Sequence, residues 1–83
     1  MKYLVTTLRA PDFREDVLPR HYAFLADLRA SGKLEGAGPF TDRSGGAYLL
    51  CADSLEEARR IAFADPLHRE NCSVVTVREW DVR

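Results

Sequence analysis

Cysteine is nearly absent from this chain. Cys51 and Cys72 are the only two, and their spacing matches no zinc site and no redox pair. They read as two reduced, largely buried thiols in a cytoplasmic protein. An excess of either charge is also missing: 12 Lys and Arg stand against 13 Asp and Glu, for a net charge of -1. That removes the basic footprint expected of a nucleic-acid-binding domain. Long apolar runs are missing too, since none approaches the roughly 18 residues needed to span a bilayer. Thr6 and Thr7 follow Met1-Lys2-Tyr3-Leu4-Val5 at once, so no secretory core is expected and no membrane partner. With no low-complexity tract and no linker, residues 1–83 read as one domain.

What remains is ordinary for a globular protein, 46% hydrophobic and 30% charged residues. Tyr3 to Leu8 is a strand rich in β-branched residues, closed by Ala10-Pro11-Asp12. From Val17 to Ser31 the period turns helical: Val17, Leu18, His21, Phe24, Leu25 and Leu28 share one side, with Tyr22 on its flank and Arg20, Asp27 and Arg29 pointing elsewhere. Gly32 supplies the stop. Leu34 to Phe40 is a short strand, Thr41 to Gly46 a turn, and Ala47 to Ala52 a nearly continuous apolar strand. A second helix opens at Ser54 with Glu57 three residues on, a capping box, and Pro66 ends it. Cys72 to Val82 is the last strand. The order predicts the ferredoxin-like βαββαβ arrangement, an α+β fold with four antiparallel strands and two helices on one face.

The other sheet face has no helix to cover it. Tyr48 and Leu50 oppose Ala47, Leu49 and Cys51, while Leu4 with Val5 and Val74 with Val75 put apolar side chains on both faces. A second copy of the chain, packed sheet to sheet as a two-fold homodimer, is the expected cover.

Two ionisable residues sit where leucine would suit a core. His21 is central in the first helical stripe, and Asp65 ends the apolar face of Ala58, Ile61 and Ala62. Nothing in the stability of that helix asks for an aspartate at its C-terminal end. Each has a structural reading, as a hydrogen-bonded core histidine and as an Asp-Pro helix stop. On facing helices they also make a His–carboxylate pair, the usual general base. Ser44 and the glycines after it could hold a ligand oxygen, although a hairpin needs the same residues. Gly36-Ala37-Gly38-Pro39-Phe40 reads as a pocket wall, because two glycines weaken a strand and mark a bulge or a close approach. Among the scattered arginines Arg9, Arg20, Arg43 and Arg69, Arg20 is taken as the candidate for greeting an anionic substrate. His68 falls in a solvated loop, and no ligand spacing supports a metal. Tyr22, Phe63 and Trp80 read as packing.

Several of these segments, in this order, resemble the YciI-like (YCII-related) family of small proteins. They are Leu18-Pro19-Arg20-His21, Leu34 to Phe40, the serine–glycine approach to the third strand, Ser54-Leu55-Glu56-Glu57-Ala58, and Ala64-Asp65-Pro66. The resemblance runs over nearly the whole chain. It implies a dimeric α+β barrel similar to the muconolactone isomerase and antibiotic-monooxygenase groups. It also implies His21 and Asp65 as the catalytic pair, with a serine near the position of Ser44 in the same pocket. One branch of the family is a dehydrochlorinase of a chlorinated hydroxyquinol, working without a cofactor. The expectation is thus a cofactor-independent, metal-free acid–base enzyme for a small oxygenated compound. The alternative is a ligand-binding or accessory module whose His–Asp pair only holds the fold.

Overall fold

A computed structural model describes residues 1–83. The chain forms β1 (Lys2–Arg9), a 3-10 turn at Glu15–Val17, α1 (Leu18–Ala30), β2 (Leu34–Pro39), β3 (Gly45–Cys51), α2 (Leu55–Ala62), α3 (Pro66–Arg69) and β4 (Ser73–Glu79). The strands make one antiparallel sheet in the order β2-β3-β1-β4. Each βαβ unit therefore skips a position that a strand of the other unit fills, as the ferredoxin-like order requires.

Local chemistry explains the boundaries. Pro19 falls in the first turn of α1, where its missing N–H costs nothing. At the other end Gly32 takes φ 77, its N–H bonds to Arg29 O, and Lys33 N–H bonds to Leu28 O at 2.9 Å. That paired closure is the Schellman motif, for which glycine is the cheapest residue. Ser54 Oγ accepts from Glu57 N–H at 3.1 Å and opens α2. Gly45 sits at φ 152, and a Cβ there would lie 1.8 Å from the Thr7 carbonyl oxygen. Its place in the hairpin is thus dictated by the approach of β1, whose Leu8 it pairs.

The core lies on the helix face of the sheet. Tyr3, Val5, Leu34, Tyr48 and Leu50 point inward against Ala58 and Ala62, with Phe24, Leu25 and Leu28 of α1 and Ile61 of α2 packed on them. A smaller cluster, Val17, Leu67 and Cys72, seals the end where α1 begins.

The sequence reading needs four corrections. First, Pro66 does not end α2, which has already stopped at Ala62; it starts α3 instead. Second, His68 is not in a solvated loop but in α3, half-buried and stacked on Phe63 with ring centroids 4.5 Å apart. Third, Tyr22, Phe63 and Trp80 are exposed: Tyr22 lies off the core stripe of α1, and Phe63 and Trp80 fall just past the ends of α2 and β4. Fourth, the outer sheet face is mixed rather than uniformly apolar. Strand β1 alternates strictly, burying Tyr3, Val5 and Thr7. Lys2 pairs with Glu35, and Thr6 bonds across to Thr76. Leu4 and its neighbour Leu49, and Leu8 with its neighbour Val74, remain apolar on that face.

Candidate active site

Aspartate 65 caps a helix. Its Oδ1 accepts from Leu67 N–H at 2.9 Å, with Pro66 between them at the first helical position. This is the ordinary N-cap arrangement, and it gives the aspartate a structural reason that reading it as the tail of α2 had denied. The cap turns the carboxylate inward, where it is 0% exposed.

His21, from the first turn of α1, meets it there. Both carboxylate oxygens lie 2.9 Å from His21 Nδ1, and the imidazole is 8% exposed. Tyr48 of β3 completes the cluster, its hydroxyl donating to Oδ2 at 3.2 Å. Burial, with the Asp65 charge beside it, holds the Tyr48 phenol far above its ordinary range, so it stays protonated and stays a donor. A carboxylate that accepts from Leu67 and Tyr48 offers Nδ1 only acceptors. The imidazole proton must therefore sit on Nδ1, leaving Nε2 with a lone pair.

That second nitrogen has no hydrogen-bond partner in the protein, and no side-chain nitrogen or oxygen is sealed from solvent without one. Nε2 is accordingly accessible, and His21 lines a cavity of about 310 Å³. The cavity lies between α1, the β2–β3 end of the sheet and the β1–β4 end. Its α1 wall is Leu18, His21, Tyr22, Leu25, Ala26 and Arg29. Those positions recur at helical spacing, one face of α1 rotated from the stripe that packs on the core. Ala37, Gly38 and Pro39 of β2 form the opposite wall.

The structure brings together only some of the residues singled out from sequence. His21 and Asp65 are in contact, and Gly38 lines the cavity. Neither Ser44 nor Arg20 does. Ser44 is exposed in the turn before β3, where its hydroxyl and its N–H bond to Asp42 Oδ1 at 2.7 and 2.9 Å. The Arg20 guanidinium is held by Glu70. Gly36 marks a bulge, as the register shift between Leu34 and Gly36 shows, but a Cβ at Gly36 or Gly38 would meet nothing within 4 Å. The glycine spacing thus signals the bulge and not a close approach.

Besides Tyr48, sequence reasoning missed three polar residues of the cavity, and among the scattered arginines it chose Arg20 over Arg9. Arg29, expected to point elsewhere, lines the cavity, as does Arg9. So do Thr7 and Ser73, which share the inner face of β1 and β4 on a diagonal, Thr7 pairing with Val75 and Arg9 with Ser73. Ser73 is buried, yet its hydroxyl has no partner in the protein and is not sealed off. Only the alternation of β4, which turns Ser73 and Val75 to the helix face, could have pointed to it. No three His, Cys, Asp or Glu side chains converge anywhere.

Comparison with known proteins agrees with this architecture. A solved structure of 5-chloro-2-hydroxyhydroquinone dehydrochlorinase from Burkholderia phenoliruptrix AC1100, in complex with 2,5-dihydroxybenzoquinone, superposes with a TM-score of 0.82. The match covers 98% of this chain and 94% of that one at 23% identity, so it is a likeness of fold. An uncharacterised protein of Bacillus subtilis (strain 168), YjpA, is 44% identical over 81 residues, covering 98% of this chain and 95% of that protein. The sequence model of the YCII-related domain matches residues 1–81. With that match running almost end to end, the chain belongs to the YCII-related family.

Proposed function

We propose that this protein is a small cofactor-independent enzyme in which His21 is the general base and Asp65 fixes its tautomer. One observation carries the reading: Nδ1 is tied to a buried carboxylate while Nε2 opens on a cavity with no partner of its own. In a merely structural histidine both nitrogens would be engaged. Nε2 takes a proton from a saturated carbon next to a carbonyl, which a phenol presents in its keto tautomer. The C–H electron pair moves onto the substrate, and negative charge gathers on its oxygen. Either a leaving group then departs with its electron pair, or the imidazolium returns the proton to a different carbon. Elimination and isomerisation share this first step. The Ser73 hydroxyl is the donor placed to hold the substrate oxygen, in place of Ser44.

The partner is a small molecule, since 310 Å³ lies at the lower end of ligand cavities. We further infer that two copies pair through the outer sheet face, as a homodimer. No helix is long and apolar enough to cross a membrane.

The test follows proton removal directly. Small carbon acids and phenols, 5-chloro-2-hydroxyhydroquinone among them, are incubated in D₂O, and solvent exchange and chloride release are followed by NMR and chloride assay. Exchange or release should fall by roughly 10²–10⁴-fold in His21→Ala, the usual worth of a positioned acid–base group. If His21→Ala only lowers the melting temperature and no compound exchanges with the wild type, the protein is a ligand-binding module and the enzymatic reading fails.

A further inference from the structure

The charge on the cavity wall differs from that of the chain. The whole protein carries a net charge of -1, yet Arg9 and Arg29 line the cavity and no aspartate or glutamate does. Arg14, Arg20 and Arg83 are each paired with a carboxylate. Arg9 and Arg29 are not, and of the arginines without such a partner they alone reach this cavity. Resting on the acid–base reading, we propose that the substrate is a small carboxylate, its oxygens gripped by Arg9 and Arg29 while its acidic carbon faces His21 Nε2.

Three features favour a built anion site over two chance surface cations. Arg9 is already positioned: its guanidinium carbon lies 4.2 Å over the Phe13 ring, and its backbone N–H bonds to Ser44 O at 2.8 Å. Stacking of this kind leaves the N–H edge of the guanidinium free for a planar acceptor, and a carboxylate matches that fork. Arg29 stands eight positions after His21 on one helical wall, about 12 Å along the axis. Both side chains tilt back toward the N-terminus, and the arginine is the longer of the two, so its extra reach narrows the gap between guanidinium and imidazole. Apart from Thr7, Ser73 and the glycines, the remaining walls are aromatic or apolar, including Phe13, Tyr22, Leu25 and Tyr48. A cavity of about half this volume accepts benzene, so a benzene-sized body with a carboxylate fits. The two cations also stabilise the charge that builds on oxygen once the proton has left.

No carboxylate lines the cavity, and Asp65, behind the imidazole and outside the cavity wall, is occupied by three donors. A plainer role for Arg29 is support of the C-terminal end of α1. Binding measurements separate the two.

The probes are benzoate and its neutral isostere benzamide, titrated into the full chain with backbone amide chemical shifts as readout. Benzoate should bind saturably and at least tenfold more tightly than benzamide, and added salt should weaken it. Arg9→Gln with Arg29→Gln should cost benzoate tenfold or more and leave benzamide unchanged, while the lysine pair restores part of the loss. Equal binding of the two probes, no saturable benzoate binding, or an unchanged benzoate affinity in the double glutamine variant would each overturn the carboxylate site. His21→Asn keeps the failures apart. Benzoate binding retained there supports the arginine site even if no proton exchange is ever found. His21-dependent exchange confined to neutral compounds sinks the arginine site and leaves the base intact.

Discussion

At Asp65, one side chain serves two requirements that substitutions can pull apart. As a cap it needs only an oxygen two residues before Leu67 N–H, and asparagine meets that need as well as aspartate. As the partner of His21 it must offer nothing but acceptors. In Asp65→Asn the amide oxygen stays with Leu67 N–H, so the NH₂ takes the Oδ2 position 2.9 Å from Nδ1, and Nδ1 becomes the acceptor. The proton then moves to Nε2, which can no longer act as a base. Loss of activity by roughly 10²–10⁴-fold with a near-native melting temperature is expected, as for wrong-tautomer variants of catalytic triads. Imidazole ¹⁵N shifts would show the tautomer change with no substrate at all. Asp65→Ala is the opposite case: it strands three donors around a void and should cost about 3–5 kcal/mol, seen as a lower urea midpoint. Tyr48→Phe removes one donor of three, and a loss of roughly 1–3 kcal/mol is expected. The pair His21 and Asp65 was legible in the sequence because His21 interrupts one apolar stripe and Asp65 follows another, although Asp65 caps α3 and does not end α2. Tyr48 was not, since an aromatic in an apolar strand looks like core until its hydroxyl is seen to have a destination. Arg9 and Arg29 were hidden for a related reason: a surface arginine carries no mark of which cavity it overlooks.

The order of strands and helices was readable because each element carries its own chemistry, such as the Ser54 cap, the Gly32 closure and the Pro19 entry. What misled was Pro66. A proline after an apolar run marks a boundary, but the same residue is the favoured start of a helix, and the three residues from Phe63 to Asp65 are too few to show where one ends and the next begins. The two elements that carry the dyad, α1 and α3, are joined on the surface by Glu70. Arg20, with Arg14 beside it at 2.7 Å, holds the Glu70 carboxyl below the usual glutamate range. Because its folded value lies under its unfolded one, the stabilisation is complete above the ordinary range and fades as pH falls through the lowered value. The melting temperature of wild type should therefore exceed that of Glu70→Gln at neutral pH, and the two curves should converge in acid. A gap that stayed constant with pH would show that the charge plays no part. Helix α1 also allows the cavity to be closed without touching the dyad. Ala26 is exposed yet lines the cavity, one turn beyond Tyr22. Ala26→Trp should fill the space and abolish benzoate binding, with the melting temperature within a few degrees of wild type.

For the whole molecule the decisive question is what covers the outer sheet face. Every helix is spent on the inner one, where Ala58 and Ala62 of α2 and the Phe24, Leu25 and Leu28 edge of α1 pack. An antiparallel sheet tolerates one wet face if that face is polar. Here the polar pairs Lys2–Glu35 and Thr6–Thr76 flank the adjacent leucines Leu4 and Leu49, and Leu8 and Val74 are 47% and 59% exposed. Exposed apolar side chains on a sheet face that no helix covers mark a contact surface. A two-fold axis through the sheet would set each leucine pair against its own copy, which makes the contact self-complementary and closed. Sedimentation equilibrium should then give twice the 9.4 kDa chain mass at micromolar concentration, with a melting temperature that rises with concentration. Leu49→Arg places a charge in the middle of that face, and symmetry counts its cost twice. It should weaken the pairing by roughly 100-fold or more, since each buried unpaired charge costs several kcal/mol. The same variant should leave the His21 ¹⁵N shifts unchanged, because Leu49 faces away from the Tyr48 side that holds the dyad. A wild-type protein that sediments as a single chain at tens of micromolar would mean that the Leu4–Leu49 surface is open to water, and the dimer must be given up.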